Sequence, residues 1–568
     1  MNQERFWTKS YDEGLEDLDP ARWEVCYTDL LEPVFRDFPD KTALYFMGVE
    51  VSYKDLNRYS SRFANMLRSF GLEKGDVVGI NLPNIPEYVI AALGAYRAGC
   101  VVSGVSPLLS AEEMAYQLKD SDARCLVTLD AIFAGRLAGI ADQLPGLKVV
   151  TTASVGGFLP GIKRFLGKLL GKIPKGKVTE LAGKTVNDFT RVIRSDTYST
   201  RAPEVDLTPD DLSCLQYTGG TTGDPKGAML SHRNLVCDIL LIQHWFGWER
   251  GVGTILSGFP FFHIAGLQIM VNSISLGWSL ILIPNPRDTD HICGELEKYK
   301  PEVMVNVPSL YQLLVADPKF RTLDHTNLKT CISAAAAYPE ESQKELGNIV
   351  GKGKLLEGYG MTETSPITTF NPSNGPKKLG SIGLPITNTD LKLVDPGTGK
   401  TVDRGLPGEI CVKGDMVMVG YHNKPEQTAQ VIDADGYMHT GDVAVQDDAG
   451  YLRIVDRTKD MIIVGGFKVF SKKVEDIMTG HPAVDMMAIV GLPNPDRPGS
   501  ELVKAFIRIT PEYDYGGDKD ALKKELTDFA REKLAPYEVP KIIEWLEEMP
   551  LTTVGKIDKK VLRAMASK

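Results

Sequence analysis

Short apolar runs alternate along this chain with longer stretches of helical period, and no other feature narrows the fold as far. Val77–Asn81 and residues 125–128, 303–307 and 329–332 have strand length, whereas residues 56–70 and 85–98 carry apolar side chains at helical spacing. Nearly continuous apolar strands suit a sheet buried on both faces, and helices between successive strands supply the crossovers that parallel pairing needs. The pattern predicts an α/β fold with parallel-rich sheets. Between the polar turn Thr387-Asn388-Thr389-Asp390 and Asp456 the texture changes. There a strand-like run at 410–413 is followed by two Asp-rich turns, 433–437 and 447–451, which read as β-hairpin corners. Beyond Arg457 come strand-like runs at 461–464, 488–490 and 503–509 and a helix at 520–534, the pattern of a small α+β domain. The expected organisation is an N-terminal domain over 1–456 that includes the β-rich subdomain, a short junction at 457–460, and a small C-terminal lid domain over 461–568.

Size and charge bound the function. A chain of 568 residues exceeds the usual length of one domain, and its 43% hydrophobic and 24% charged composition is that of a globular protein. A net charge of −10 argues against a general nucleic-acid binder. The eight cysteines are scattered without a Cys-x-x-Cys pair, which indicates neither a zinc framework nor a disulfide scaffold and points to a reducing cytoplasm. The N-terminus lacks the basic and apolar regions of a secretory signal. Residues 252–286 contain no Asp, Glu, Lys or Arg, but Pro260, His263, Gln268 and Asn272 interrupt them, and strand, helix, strand is the better reading than a membrane span. Residues 158–177 form a distinct insert in which Lys163, Arg164, Lys168, Lys172, Lys175 and Lys177 are set among Ile162, Phe165, Leu166, Leu169 and Leu170. Such a segment suits either a peripheral helix on the anionic inner face of a membrane or a solvated surface excursion.

The stretch from Tyr217 to Gly227, Tyr-Thr-Gly-Gly-Thr-Thr-Gly-Asp-Pro-Lys-Gly, has the composition of a phosphate cradle: glycine backbone N–H groups, threonine hydroxyls and one lysine. It is not a Walker loop, because Lys226 follows Pro225 and precedes Gly227. Alone, it also reads as a flexible surface loop. Glu357-Gly358-Tyr359-Gly360-Met361-Thr362-Glu363-Thr364 offers a ring to stack on a base, a hydroxyl for phosphate and a carboxylate for Mg²⁺, or simply a glycine-rich turn. Thr440-Gly441-Asp442 offers a carboxylate for ribose hydroxyls, or a turn.

In their order and spacing these three segments, with the continuation Ala228-Met229-Leu230-Ser231-His232-Arg233-Asn234, Asp456-Arg457-Thr458-Lys459-Asp460 and Gly555-Lys556, resemble the adenylate-forming (AMP-binding) enzymes. Among these the chain looks most like the long-chain fatty acid CoA ligases, with the resemblance running from about Asp40 to Arg563. It implies activation of a carboxylic acid by MgATP to an acyl-adenylate, then displacement of AMP by CoA. Thr218, Gly219, Gly220, Thr221, Thr222, Gly223 and Lys226 would hold the β- and γ-phosphates. Thr222 and Glu363 would serve the metal, with Thr362 beside the α-phosphate. Ala335, Glu357, Gly358, Tyr359, Gly360, Asp442, Ile454 and Arg457 would bind the nucleoside, and Lys556 would join the substrate carboxylate to the α-phosphate. Lys459 matches the hinge, and Gly465-Gly466-Phe467 the loop lining the pantetheine tunnel. One departure stands out: the family's Ser-Gly-Gly-Ala is here Ser333-Ala334-Ala335-Ala336-Ala337, and alanine tolerates positive φ poorly.

Amino-acid adenylation domains carry an aspartate where this chain has His263, which disfavours an α-amino acid. His263, Val307 and Tyr311, with Leu267, Ile269, Met270 and the Trp245-Phe246-Gly247-Trp248 patch, suit an apolar tail or plain core. The expected substrate is a medium- or long-chain fatty acid. An aryl or alicyclic acid is the alternative, and a catalytically silent nucleotide-binding scaffold the reading from another class. Oligomeric state is left open, a homodimer included.

Overall fold

A computed structural model describes residues 5–171, 173–218, 224–551 and 557–566. In it the alternating pattern becomes two large sheets, each built on six adjacent parallel strands. In one sheet the parallel strands run in the order Leu355–Gly360, Thr330–Ser333, Val303–Asn306, Thr254–Ser257, Ser279–Leu282 and Thr42–Phe46. In the other the order is Leu212–Thr218, Val101–Gly104, Val77–Asn81, Cys125–Leu129, Val149–Ala153 and Thr185–Asp188. Every residue of Val77–Asn81, Cys125–Leu129 and Val149–Ala153 is buried, which is why these strands read as continuous rather than alternating apolar runs. The helix Pro86–Arg97 is buried all round, whereas Tyr53–Ser69 buries one face, with Ser52 capping its first turn by accepting from the Asp55 N–H.

Both sheets end in antiparallel strands, and these carry the site. Leu355–Gly360 pairs with Ile367–Phe370 at one edge, and Leu212–Thr218 with Lys226–Ser231 at the other. A four-stranded antiparallel sheet of Asp390–Val394, Gly408–Lys413, Met438–Gln446 and Leu452–Arg457 forms the β-rich part. Its two Asp-rich turns share one chemistry: Asp433 Oδ1 accepts from the Asp435 and Tyr437 N–H groups, and Asp447 Oδ1 from those of Ala449 and Tyr451. Only the second is the hairpin corner expected of both. The first follows the helix Pro425–Val431, started by a proline at its first position, and leaves a single bridge between Ile432 and Met438. The Asp side chain sets the turn; the flanking residues decide what it connects.

Residues 252–286 form the strand Thr254–Ser257, the helix Ile264–Ser275 and the strand Ser279–Leu282. Among the described residues no helix is long and apolar enough to cross a membrane. Beyond Arg457, helices Ser471–Met478 and Lys519–Lys533 pack on the sheet Val484–Pro493, Glu501–Ile509 and Ile542–Trp545 around an apolar cluster of their own, which includes Val474, Ile489, Ile507 and Leu526. This part is tied to the rest by polar contacts. Ser471 donates through its N–H and its hydroxyl to buried Asp456, and Lys468 pairs with Asp395, while Arg563 pairs with Asp460 in the junction itself.

Candidate active site

The glycine-rich stretch joins two paired strands, with Tyr217 opposite Gly227 and Thr218 opposite Lys226, so its two ends lie side by side. Gly219, Gly220, Thr221, Thr222 and Gly223 lie outside the described residues, as does Lys556. The returning strand Lys226–Ser231 feeds the helix His232–Phe246 through a reciprocal cap between Ser231 and Asn234. It also pairs on its far side with Gly420–Tyr421, which brings a tyrosine to the site from almost two hundred residues away in sequence.

That tyrosine joins two of the expected residues. The Tyr421 hydroxyl donates to Glu363 Oε1 at 2.6 Å, and the Lys226 ammonium lies 4.4 Å from the centre of the Tyr421 ring. Glu363 sits in the short turn Thr362–Thr364 after Leu355–Gly360 and is buried with its neighbours. Burial raises its pKa above the usual carboxylate value; the Tyr421 hydrogen bond and the Lys226 charge act in the opposite direction. The result is a buried carboxylate held beside a cation.

A second group assembles around Asp442. The Tyr359 hydroxyl donates to Asp442 Oδ2 at 2.7 Å, and Arg457 Nε to Oδ1 at 3.1 Å, with Asp442 and Arg457 directly opposite in their antiparallel pair. Glu409 orients the Thr440-Gly441-Asp442 turn: its Oε1 accepts the Gly441 N–H at 3.0 Å, while its Oε2 pairs with His439 Nδ1 at 2.9 Å. Glu409, Cys411 and His439 lie close enough together to ligate a metal, yet this hydrogen bonding already accounts for their arrangement.

The other expected residues are placed as follows. A side chain at Gly360 would strike the Pro366 carbonyl, and one at Gly358 the Phe370 ring, so both glycines allow the close approach of Ile367–Phe370. Glu357 is tied to the Tyr338 N–H at 3.3 Å and the Gln343 side chain at 2.7 Å, and burial pushes its pKa up to about 7. It thereby anchors the segment that follows Ser333. In that segment Ala335 adopts φ +69°, the left-handed conformation that glycine would take more readily. The backbone geometry is thus reached without the glycines. Ile454 lies on the strand that ends in Arg457, and Lys459 is exposed just beyond it. Gly465 and Gly466, at φ +60° and +89°, form a two-residue hairpin turn, and the neighbouring Phe467 ring stacks on Tyr537.

His263 caps the helix Ile264–Ser275 through Nδ1, which accepts from the Ala265 N–H, and is exposed; Val307 precedes the helix Pro308–Ala316. Tyr311 is fully buried and donates to the Met304 and Ile332 carbonyls, and Trp245 is buried with its N–H on the Asn371 carbonyl. These are the contacts of core residues. Tyr421 and Glu409 escaped sequence reasoning because neither sits in a distinctive local motif; only strand pairing brings them to the site.

A family model described as AMP-binding enzyme matches residues 31–422, and one described as AMP-binding enzyme C-terminal domain matches residues 473–556. The chain is 37% identical to a long-chain-fatty-acid–CoA ligase of Bacillus subtilis (strain 168), over 98% of this chain and 97% of that protein. It is 35% identical to the long-chain-fatty-acid–CoA ligase of Escherichia coli O157:H7, over 98% of each. Among solved structures it resembles the anthranilate CoA ligase AuaEII in complex with anthranoyl-AMP, with a TM-score of 0.80 at 26% identity, covering 97% of this chain and 99% of that one.

Proposed function

The chain belongs to the AMP-binding enzyme family, and from that membership we propose how its residues divide the work of an AMP-forming acyl-CoA synthetase. The enzyme activates a medium- or long-chain fatty acid with ATP, releasing pyrophosphate, and passes the acyl group to CoA, releasing AMP. The observation that carries this reading is the convergence of Lys226, Glu363 and Tyr421 beside the group of Tyr359, Asp442 and Arg457. No folding requirement would gather so many polar groups.

In the first step a fatty carboxylate oxygen attacks the α-phosphorus and pyrophosphate departs. Catalysis is then chiefly positioning and neutralisation of phosphate charge. Lys226 and Thr218, on adjacent strand ends, face the departing phosphates. An ionised carboxylate has about four acceptor sites, so Asp442 can hold Tyr359 and Arg457 and still accept from ribose hydroxyls. Glu363 and Thr362 present only oxygen donors, which suits a hard cation. Mg²⁺ bound there would supply charge neutralisation at the phosphates. Lys556 is assigned the bridge between carboxylate and α-phosphate. For the second step the segment 461–568 moves as a lid about residues 457–460, with Lys459 at the pivot and Gly465, Gly466 and Phe467 beside the pantetheine arm. The Lys468–Asp395 pair is a partly exposed polar contact of the kind such a motion can exchange. The setting proposed is cytoplasmic.

The test is pyrophosphate release with ATP and a panel of acids from benzoate to palmitate, ranked by kcat/KM. Turnover that rises towards palmitate is expected. Preference for benzoate would move the substrate to the aryl acids, the reading favoured by the likeness to the anthranilate ligase, and no turnover with any acid would sink the enzyme reading.

A further inference from the structure

The helix Gly161–Leu169 is turned inside out relative to the other amphipathic helices of the chain. Ile162, Phe165, Leu166, Leu169 and Leu170 follow the spacing i, i+3, i+4, i+7, i+8 that marks one helical face, and that face is exposed: Ile162 by 78%, Phe165 by 66%, Leu169 by 70% and Leu170 by 67%. Apolar faces with this spacing normally point at a core. Here the inner side of the helix is Gly167, whose missing side chain leaves room for buried Ile173.

The helix is nonetheless firmly mounted. Phe158 and Leu159 are buried at its start, with Phe158 edge-on to Tyr59, and Ile173 is buried after its end. Gly176 passes so close to the Asp130 carbonyl that no side chain would fit. Lys163 donates to the Met47 carbonyl at 3.3 Å, which places the exposed Met47 beside the helix. The apolar comb is therefore held out by a buried base, and a partner need not order it first.

Charge selects the partner. Between Asp142 and Glu180 the chain has seven Lys or Arg and no Asp or Glu, against a net charge of −10 for the whole. A second copy of this chain would bring the same positive segment and repel it. Nucleic acid would satisfy the charges but has no use for five exposed apolar side chains in a row. An interface that is both apolar and anionic satisfies both requirements. We propose that the helix Gly161–Leu169, with the basic limbs beside it, docks this protein on an anionic lipid bilayer, the apolar comb entering the headgroup boundary and the Lys and Arg side chains remaining at the phosphates. This does not depend on the catalytic assignment.

The experiment is co-sedimentation of the full-length protein with phosphatidylcholine vesicles, with and without phosphatidylglycerol, at low and at 0.5 M salt. Binding is expected only with the anionic lipid, weakened at least about tenfold by the high salt. Phe165→Asp with Leu169→Asp, which alters exposed side chains only, should abolish it, and Lys175→Glu with Lys177→Glu should weaken it. Both variants should keep the far-UV circular dichroism and the urea midpoint of the unaltered protein, which verifies their folding. Equal binding to neutral vesicles, undiminished binding of the Phe165/Leu169 variant, or no binding to either vesicle would overturn the proposal. So would a self-associated state, in sedimentation without lipid, that the Phe165/Leu169 substitutions dissolve, because the comb would then be an interface between copies.

Discussion

Replacing Tyr421 with Phe removes one oxygen atom and separates the two contacts of that side chain. The ring that faces the Lys226 ammonium at 4.4 Å stays, while the 2.6 Å hydrogen bond to Glu363 is lost. Glu363 is buried, and burial already raises its pKa; the Tyr421 hydroxyl does most to hold it down. A hydrogen bond to a charged group contributes about 1.5–3 kcal/mol. At roughly 1.4 kcal/mol per decade, its loss from the ionised form predicts about a 10- to 150-fold fall in kcat/KM for MgATP near neutral pH. The sign for pH follows directly. The lost bond favoured the carboxylate, so the pKa of Glu363 rises further, and the acid limb of the pH–rate profile moves to higher pH. Part of the lost activity should return on raising the pH, and the Mg²⁺ concentration giving half-maximal rate should increase. Tyr421→Leu, which also removes the buried ring, should lose a further factor of about 5 to 30, the worth of a cation–π contact shielded from water. The assay is pyrophosphate release across pH and Mg²⁺ concentration. A Phe variant with an unmoved acid limb and unmoved Mg²⁺ dependence would refute the reasoning, even if its activity were low.

Other outcomes are expected from the same structure. Lys556→Ala should abolish acyl-adenylate formation yet leave thioester formation from supplied acyl-AMP largely intact; equal loss in both half-reactions would contradict its assigned role. Asp442→Ala strips the acceptor from the buried Tyr359 hydroxyl and should destabilise the fold by about 1–3 kcal/mol. Urea denaturation should show that Tyr359→Phe recovers part of this loss, whereas simple additivity of the two substitutions would count against the pairing. Glu87 is fully buried, and burial pushes its pKa up to about 8 from an ordinary 4.5. The folded state therefore binds the proton more tightly than the unfolded state, so this stabilisation is complete below about pH 4.5 and is lost as the pH rises through about 8. Glu87→Gln cannot ionise and should gain stability relative to the unaltered chain between pH 5 and pH 8.5; parallel stability profiles would show that Glu87 does not titrate in that window.

Much of the architecture is legible locally. The runs at 77–81 and 125–128 became fully buried strands because a strand covered on both faces is apolar at nearly every position, and its polar residues Asn81 and Thr128 are hydrogen-bonded to each other. The helix expected at 520–534 is found at Lys519–Lys533, because Asp518 caps it and its apolar period is short-range information. The basic insert at 158–177 likewise announced an amphipathic helix, and Gly161–Leu169 is one. The two Asp-rich turns were equally legible as turns, but only one proved to be a hairpin corner, since that depends on what lies on either side.

Tertiary structure decided which residues meet. The sequence by itself determined the chemistry available, a phosphate-type loop, a carboxylate in Thr-Glu-Thr and another in Thr-Gly-Asp, because those are choices of residue type within a few positions. It did not determine that Tyr421 stands between Lys226 and Glu363, or that Glu409 holds the turn bearing Asp442. Nor did it determine that Tyr311, suited by composition to an apolar pocket, has its hydroxyl engaged by two carbonyls of the core. It offered an outward apolar face for residues 158–177 only as one of two readings, and did not determine that Gly167 is what packs inward, against Ile173. The physical reason is common to all four. Periodicity and motif spacing report on neighbours along the chain, whereas these contacts are made by strand pairing and packing between segments far apart in sequence, where residue type alone does not name the partner.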